Sequence, residues 1–159
     1  MCKKYTILVV GLIQMMGIIS CSEQIKPTPY LYTKVFTGEK SKTWKVKFLE
    51  QTLHGEINDT FTIACAADDQ YTFYANAERT LEVNAGANKC SSNEASLITD
   101  SWSFNNASAT LQMLLPFLVD SNYPYLVREA SKNKMVLEVF FDAANTESYR
   151  IHFESTHEE

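Results

Sequence analysis

The chain has 159 residues, of which 45% are hydrophobic, 12% aromatic and 21% charged, and its formal net charge is −5 at neutral pH. This length and apolar content suit one globular domain built around one core. The acidic balance, without a basic stripe, argues against nucleic acid as a partner.

Residues 1–20 have the organisation of a secretory signal peptide. A short positive region that contains two lysines precedes an apolar run, Thr6 to Ile19, that is too short to span a membrane comfortably. The segment IISC that ends at Cys21 resembles the lipobox of bacterial lipoproteins, in which cleavage precedes the cysteine and lipid is attached to its thiol. The resemblance implies a lipid-anchored protein of the cell envelope, most simply in the outer membrane, with the membrane as a partner through its lipid.

The four cysteines of the chain then fall into different roles. Cleavage would remove Cys2 and lipidation would occupy Cys21, so Cys65 and Cys90 are left as a pair. Because exported proteins reach an oxidising compartment, we expect this pair to form a disulfide, and two buried free thiols are the alternative. Closing a loop of about 25 residues would stabilise the fold by about 3–4 kcal/mol in the chain-entropy model.

Residues 21–41 are interpreted as a lipidated tether, 42–155 as the folded domain and 156–159 as a short C-terminal tail. The tether contains Pro27 and Pro29, which favour an extended backbone. It also contains several aromatic and aliphatic residues, and we expect these to pack against the outside of the domain. A docking segment for a partner is the alternative.

Alternating apolar and polar residues predict the strands of the domain. The first is Thr43 to Phe48, with Trp44, Val46 and Phe48 facing the core. Residues 49–64 are less regular and predict a long loop, with a short edge strand near Phe61 and Ile63.

The central stretch predicts a hairpin, and five further alternating runs follow it. Gln70–Ala75 and Thr80–Asn84 form the hairpin, and Gly86 and Asn88 end its second strand. The later runs are Ile98–Asn105, Thr110–Leu115, Tyr123–Glu129, Met135–Phe141 and Ser148–Ser155. No helix is long enough for a parallel crossover, so the sequence predicts an all-β fold, an antiparallel up-and-down meander of about eight strands.

Several residues together resemble the lipocalin-like domain of Bacteroidetes lipoproteins. The resemblance covers residues 42–155 and is carried by Trp44, Cys65, the segment DDQYTF at 68–73, Gly86, Lys89-Cys90, Trp102-Ser103-Phe104 and Thr110-Leu111. It implies a small lipocalin-like (calycin) barrel whose two central cysteines are paired. The sequence departs from better-known lipocalins at Lys42, where those proteins carry a glycine two residues before the first-strand tryptophan.

A barrel of eight strands either fills its interior with side chains or holds one small ligand. We expect a small hydrophobic or amphipathic ligand in an interior lined by Tyr71, Phe73, Val83, Trp102, Phe104, Leu111, Met113, Leu137 and Val139. The alternative is a filled barrel that acts as a structural or protein-interaction module of the envelope.

The sequence carries few groups suited to catalysis or metal binding. His54, His152 and His157 are far apart and have no cysteine or carboxylate at metal-ligand spacing, so we expect no metal site and no cofactor. We interpret the adjacent Asp68 and Asp69 as a solvated turn that protects a sheet edge. A calcium site is the less favoured interpretation. We therefore expect that the protein is not an enzyme. We also expect it to be a monomer.

Overall fold

The computed structural model of the chain describes residues 32–142 and 144–159. The predicted signal peptide 1–20, Cys21 and the part of the predicted tether up to residue 31 lie outside the described residues. Within the described ranges there are one short α-helix, a single 3-10 turn at Ala64–Ala66 and ten strands: α1 Tyr32–Thr37, β1 Ser41–Leu53, β2 Glu56–Phe61, β3 Gln70–Tyr74, β4 Thr80–Asn84, β5 Leu97–Ser101, β6 Ser103–Asn105, β7 Thr110–Met113, β8 Tyr123–Ala130, β9 Lys134–Phe140 and β10 Glu147–Glu158.

The strands form an antiparallel sheet that curls into a nearly closed barrel, as the sequence predicts. Nine strands follow the order β5-β4-β3-β1-β10-β9-β8-β7-β6, and β2 pairs with β1 outside this path. Trp102 alone separates β5 from β6, the two ends of the path, so the backbone itself bridges the gap in the barrel. Sharply twisted sheets of this size close in this way because closure removes exposed strand edges.

The prediction of a long loop over residues 49–64 is wrong. β1 continues to Leu53 and returns through a two-residue turn to β2, with Gln51 opposite Asp59 and Leu53 opposite Glu56. His54 and Gly55 both have positive φ, which is the backbone of the tight hairpin turns that match strand twist.

The inward position predicted for Phe48 is wrong, because strand register changes there, and Phe141, the last residue of the predicted run Met135–Phe141, lies outside the strand. Phe48 follows a bulge between Val46 and Phe48, lies half-buried and stacks on His152, while Leu49 takes the inward position. Phe141 lies one residue beyond β9 and its side chain is 51% exposed. Bulges turn the strand and re-aim its side chains, so a simple alternation from the start of β1 does not continue past Val46.

The last strand is longer than the predicted run to Ser155. β10 reaches Glu158, and residues we interpreted as a tail pair with the start of β1, with Lys42 opposite Glu158. Lys42 is only 2% exposed, its Nζ lies 3.2 Å from a Glu158 carboxylate oxygen and 5.0 Å from the centroid of the Trp44 ring. A buried ammonium is tolerated only with such partners.

Helix α1 closes one end of the barrel. Its Phe36 is fully buried, and the Trp44 indole nitrogen donates a 2.9 Å hydrogen bond to the Phe36 carbonyl oxygen. The β3–β4, β6–β7 and β8–β9 connections lie at this end, which we call the helix end. The β1–β2 turn and the β4–β5, β7–β8 and β9–β10 connections lie at the opposite end, which we call the loop end. No helix in the described ranges has the length and apolar character that a membrane crossing requires.

Candidate functional site

The predicted lining residues all lie on the barrel strands or, for Trp102, between two of them. Eight of the nine are buried, with exposed fractions of 0–3%, and Phe104 is half-buried: the buried ones are Tyr71, Phe73, Val83, Trp102, Leu111, Met113, Leu137 and Val139. The alternation read from the sequence thus brings these side chains together in one interior cluster.

The half of the interior at the helix end is filled by aromatic rings. The Phe36 ring lies 5.1 Å from that of Phe104 and 6.2 Å from that of Trp102, and the Phe73 and Trp102 rings are 5.6 Å apart. These centroid distances are those of rings in direct edge-to-face contact. Phe73, Trp102 and Phe104 therefore serve as packing partners of α1.

The other half of the interior carries three polar side chains, of which the predicted lining set contains only Tyr71. Asp69, Tyr71 and Tyr125 are 0–1% exposed, and we call them the loop-end cluster. Tyr71 and Tyr125 come from β3 and β8, well apart in the strand order, and both belong to the same buried core cluster. Tyr125 could have been found from the sequence, because it alternates with Tyr123 and Val127 on β8, whereas Asp69 has no periodic signal.

The Tyr125 hydroxyl has no hydrogen-bond partner among the described residues. Burial raises the pKa of Tyr125, and the neighbouring Tyr123 adds to the rise, so the phenol stays protonated and keeps its proton available for donation. Leaving a buried hydroxyl unpaired costs about 1–3 kcal/mol, so such groups in folded proteins usually meet water or a ligand atom.

Asp69 and Tyr71 are joined to each other and to the loop that follows β4. The Tyr71 hydroxyl donates a long, 3.4 Å hydrogen bond to Asp69, and the Gly86 amide donates to the same carboxylate at 3.1 Å. Burial raises the pKa of Asp69, the Gly86 amide opposes the rise, and Glu94 adds to it. Burial and then the Asp69 charge hold the pKa of Tyr71 well above its ordinary value.

The adjacent Asp68 fastens the same loop from outside. Its carboxylate accepts hydrogen bonds from the amides of Ala87 at 2.7 Å and Asn88 at 3.3 Å. A Cβ on Gly86 would stand 2.1 Å from the Asp68 carboxyl carbon, so a larger residue here would displace this carboxylate from the loop. The interpretation of Asp68 and Asp69 as a solvated turn is thus wrong for Asp69, which is buried, and both carboxylates serve the β4–β5 loop.

The predicted disulfide between Cys65 and Cys90 is confirmed. Their Cα atoms are 4.9 Å apart, and the bridge joins the turn before β3 to the β4–β5 loop. The loop at this end of the barrel is therefore held by one covalent bond and by the two aspartates.

A second polar network lies on the outer face of β8, β9 and β10. Glu138 is 2% exposed and accepts hydrogen bonds from Ser148 at 2.7 Å, from Arg150 at 3.0 Å and from Arg128. Burial raises the pKa of Glu138, but these three hydrogen bonds more than offset it and hold the pKa below its ordinary value. Next to this network, His152 Nε2 lies 3.0 Å from a Glu50 carboxylate oxygen.

The three histidines stay apart in the fold, as their spacing suggests. His54 is in the β1–β2 turn, and His152 and His157 lie on β10, where they pair with Phe48 and Thr43 of β1. Within the described ranges, no three histidine, cysteine or acidic side chains group as metal ligands. The expectations of no metal, no cofactor and no catalysis remain predictions.

No protein-family model matches the chain, and no curated protein matches it.

Proposed function

We propose that the chain is a lipid-anchored, lipocalin-like barrel of the bacterial cell envelope that binds a small hydrophobic or amphipathic ligand in the half of its interior at the loop end. The lipobox-like segment at Cys21 supports the anchor, and the nearly closed barrel with an apolar inner wall supports the binding role.

The observation that carries the binding proposal is the buried, unpaired hydroxyl of Tyr125. Ligand sites in proteins are typically apolar with a few polar groups that fix orientation. Val83, Met113 and Val139 are buried apolar side chains on strands that neighbour β3 or β8, the strands that carry Tyr71 and Tyr125. Because the packed rings of Phe36, Phe73 and Trp102 fill the helix end, a ligand would enter from the loop end.

A fluorescence titration tests the proposal. N-phenyl-1-naphthylamine, an uncharged apolar fluorophore, is added to the full chain, and we expect saturable binding at one site per chain. Val139→Phe should fill part of the site and weaken binding, while Leu53→Phe, on a hairpin position that is 47% exposed, should leave it unchanged. Urea unfolding of both variants controls for loss of fold. Absence of saturable binding to the folded wild-type chain would refute the binding role.

The anchor is tested separately. Mass spectrometry of the protein extracted from bacterial membranes should find residues 1–20 removed and acyl chains on Cys21. Cys21→Ala should release the protein from the membrane fraction. An unmodified Cys21 in membrane-derived protein would contradict the anchor and leave the binding proposal standing.

A second candidate, an interaction module of the envelope, is favoured by apolar side chains at the loop end. Leu53, Ile57, Leu97 and Phe141 are 47–56% exposed, and large exposed apolar residues often mark contact surfaces. This candidate predicts that Leu53→Lys with Ile57→Lys abolishes a cross-link to an envelope protein that Val139→Phe leaves intact. The opposite pattern would favour the ligand-binding role.

A further inference from the structure

Four aromatic rings form a continuous row near the loop end, and we call them the rim row. The centroids of the Tyr123 and Phe141 rings are 6.1 Å apart, and those of Phe141 and Tyr149 are 6.0 Å apart. The row continues from Tyr149 to Phe61, with a centroid distance of 6.4 Å. Rings at these separations touch each other, so the row is a surface without a gap between its members.

The rim row is open to solvent on one side. Phe61, Tyr123 and Tyr149 are partly buried and pack against the core cluster, whereas Phe141 lies one residue beyond β9 and is 51% exposed. The core therefore holds the row in place from beneath, and its outer side presents aromatic surface that no described residue covers completely. Exposed apolar surface of this kind is typical of contact sites.

Carboxylates flank the same rings. Glu147 lies beside Tyr149, because its Oε1 accepts hydrogen bonds from the Tyr149 hydroxyl at 3.3 Å and from the Gln51 amide at 2.5 Å. Both of these bonds reach one oxygen, so the second oxygen of Glu147 is available to a partner. Asp142 directly follows Phe141 in the chain. The rim row is thus bordered by negative charge.

The segments that carry the rim row hold no strong base to balance this charge. Residues 49–63, 117–127 and 140–149 contain neither lysine nor arginine, and His54 is their one histidine. The same segments contain six carboxylates: Glu50, Glu56, Asp59, Asp120, Asp142 and Glu147. The arginines that follow two of these segments, Arg128 and Arg150, are bound to the buried carboxylate of the outer face. A partner of complementary charge would therefore be basic.

We infer that the rim row is the docking surface for a protein segment that carries both basic and aromatic side chains. Aromatic rings attract cations over their faces, and the carboxylates beside them add the charge complementarity that steers association. Anionic lipid head groups would be repelled by the same carboxylates. The inference rests on the second candidate function, the interaction module, and gives it a partner of stated chemistry. It does not depend on a ligand in the interior.

Three labelled peptides test the charge requirement on the wild-type chain: KFSKFSKF, QFSQFSQF and EFSEFSEF. Fluorescence anisotropy measures their binding to the full chain at low salt, about 50 mM. We expect the lysine peptide to bind at least about tenfold more tightly than the glutamine peptide, and the glutamate peptide to bind most weakly. The difference should shrink at about 1 M salt, where charges are screened over about 3 Å.

A substitution in the row locates the surface. Phe141→Ser removes the most exposed ring of the row and should weaken binding of the lysine peptide by about 3- to 10-fold. Leu97→Ser is the matched control, because Leu97 is 56% exposed and lies on β5, at one end of the strand path. Urea unfolding of both variants reports whether each keeps its fold.

A second substitution separates charge from shape. Glu147→Gln keeps an acceptor for Gln51 and removes the charge, so it should weaken binding of the lysine peptide and leave the glutamine peptide unchanged. Glu154→Gln is the control, because Glu154 lies on the same strand in an exposed ion pair with Lys47.

The outcomes separate the inference from the functions proposed above. The inference is overturned if the glutamine peptide binds as tightly as the lysine peptide, or if Phe141→Ser weakens binding no more than Leu97→Ser does. Vesicles of anionic lipid that bind more tightly than the lysine peptide, and lose binding in Phe141→Ser, would also overturn it and make the partner a membrane. If no peptide binds but Leu53→Lys with Ile57→Lys still abolishes the envelope cross-link, the interaction module remains and the inference is overturned. Titration with N-phenyl-1-naphthylamine judges the interior site independently.

Discussion

Replacing Phe36 by alanine tests whether helix α1 is an integral part of the barrel. The sequence interpretation placed this residue in a tether, whereas the structure buries it completely among three aromatic side chains. Truncation of a fully buried phenylalanine typically lowers the free energy of unfolding by about 3–5 kcal/mol, through lost transfer energy and the cavity that remains. We expect Phe36→Ala to fall in this range.

Urea unfolding of the full chain, followed by tryptophan fluorescence, measures the effect. Trp44 and Trp102 both touch the α1 region, one by a hydrogen bond to the Phe36 carbonyl and the other by ring contact, so the signal reports directly on this end. Lys34→Ala is the matched control on the same helix. It removes an exposed ion pair with Glu39, and such pairs contribute about 0–1 kcal/mol.

A decrease in the free energy of unfolding below about 1 kcal/mol for Phe36→Ala, or an equal decrease for both variants, would refute the assignment of α1 to the barrel. Truncation of a buried phenylalanine lowers this free energy by more than that. The helix would then pack only against the outside of the domain, as the sequence interpretation expected.

Three further predictions follow from the contacts. Reduction of the disulfide should lower the free energy of unfolding by about 3–4 kcal/mol, since it frees a loop of 25 residues in the unfolded chain, and urea unfolding with and without dithiothreitol measures this. Glu138→Gln should lower stability at pH 7 by about 1–3 kcal/mol. Because the folded pKa of Glu138 lies below its ordinary value of 4.5, the stability that its charge contributes is present above pH 4.5 and is lost as the pH falls through the folded pKa. The difference from wild type should therefore shrink in acid, and a pH-independent difference would contradict the ionic role. Glu158→Gln should lower stability by about 1–3 kcal/mol because it leaves the buried Lys42 without its partner, whereas Glu159→Gln should have little effect. Equal effects of these two substitutions in thermal unfolding would argue against a buried pair.

Much of the barrel was predictable because period-2 alternation is strong where one face of a strand is buried. β3 and β4 show it clearly, and the inward side chains Tyr71 and Val83 were identified from it. The disulfide was predictable because the sequence interpretation removes Cys2 with the signal peptide and attaches lipid to Cys21. Only Cys65 and Cys90 then remain to pair.

The elements that escaped prediction lack that alternation for physical reasons. β2, with the sequence EINDTF, is exposed along almost its whole length, so neither face is marked by apolar residues, and its Asn58 and Asp59 are poor strand formers. The bulge before Phe48 reverses the facing of β1 without any cue in residue type. Phe36 lies on a six-residue helix, which is too short to show a helical period.

The candidate site was predictable in its apolar part only. Alternation places apolar residues, but the burial of Asp69 depends on contacts with Gly86, 17 residues away, and with the loop that the disulfide holds. The unpaired state of the Tyr125 hydroxyl is likewise a property of the closed barrel and is absent from any local pattern.

Methyl NMR of the full chain titrated with 1-decanol tests the central proposal most directly. If a small amphipathic ligand binds inside the barrel at the loop end, the methyl resonances of Val83, Met113 and Val139 should shift and saturate at one ligand per chain. Shifts confined to Leu53 and Ile57 on the exposed hairpin, or no saturable shift at all, would contradict binding in the interior.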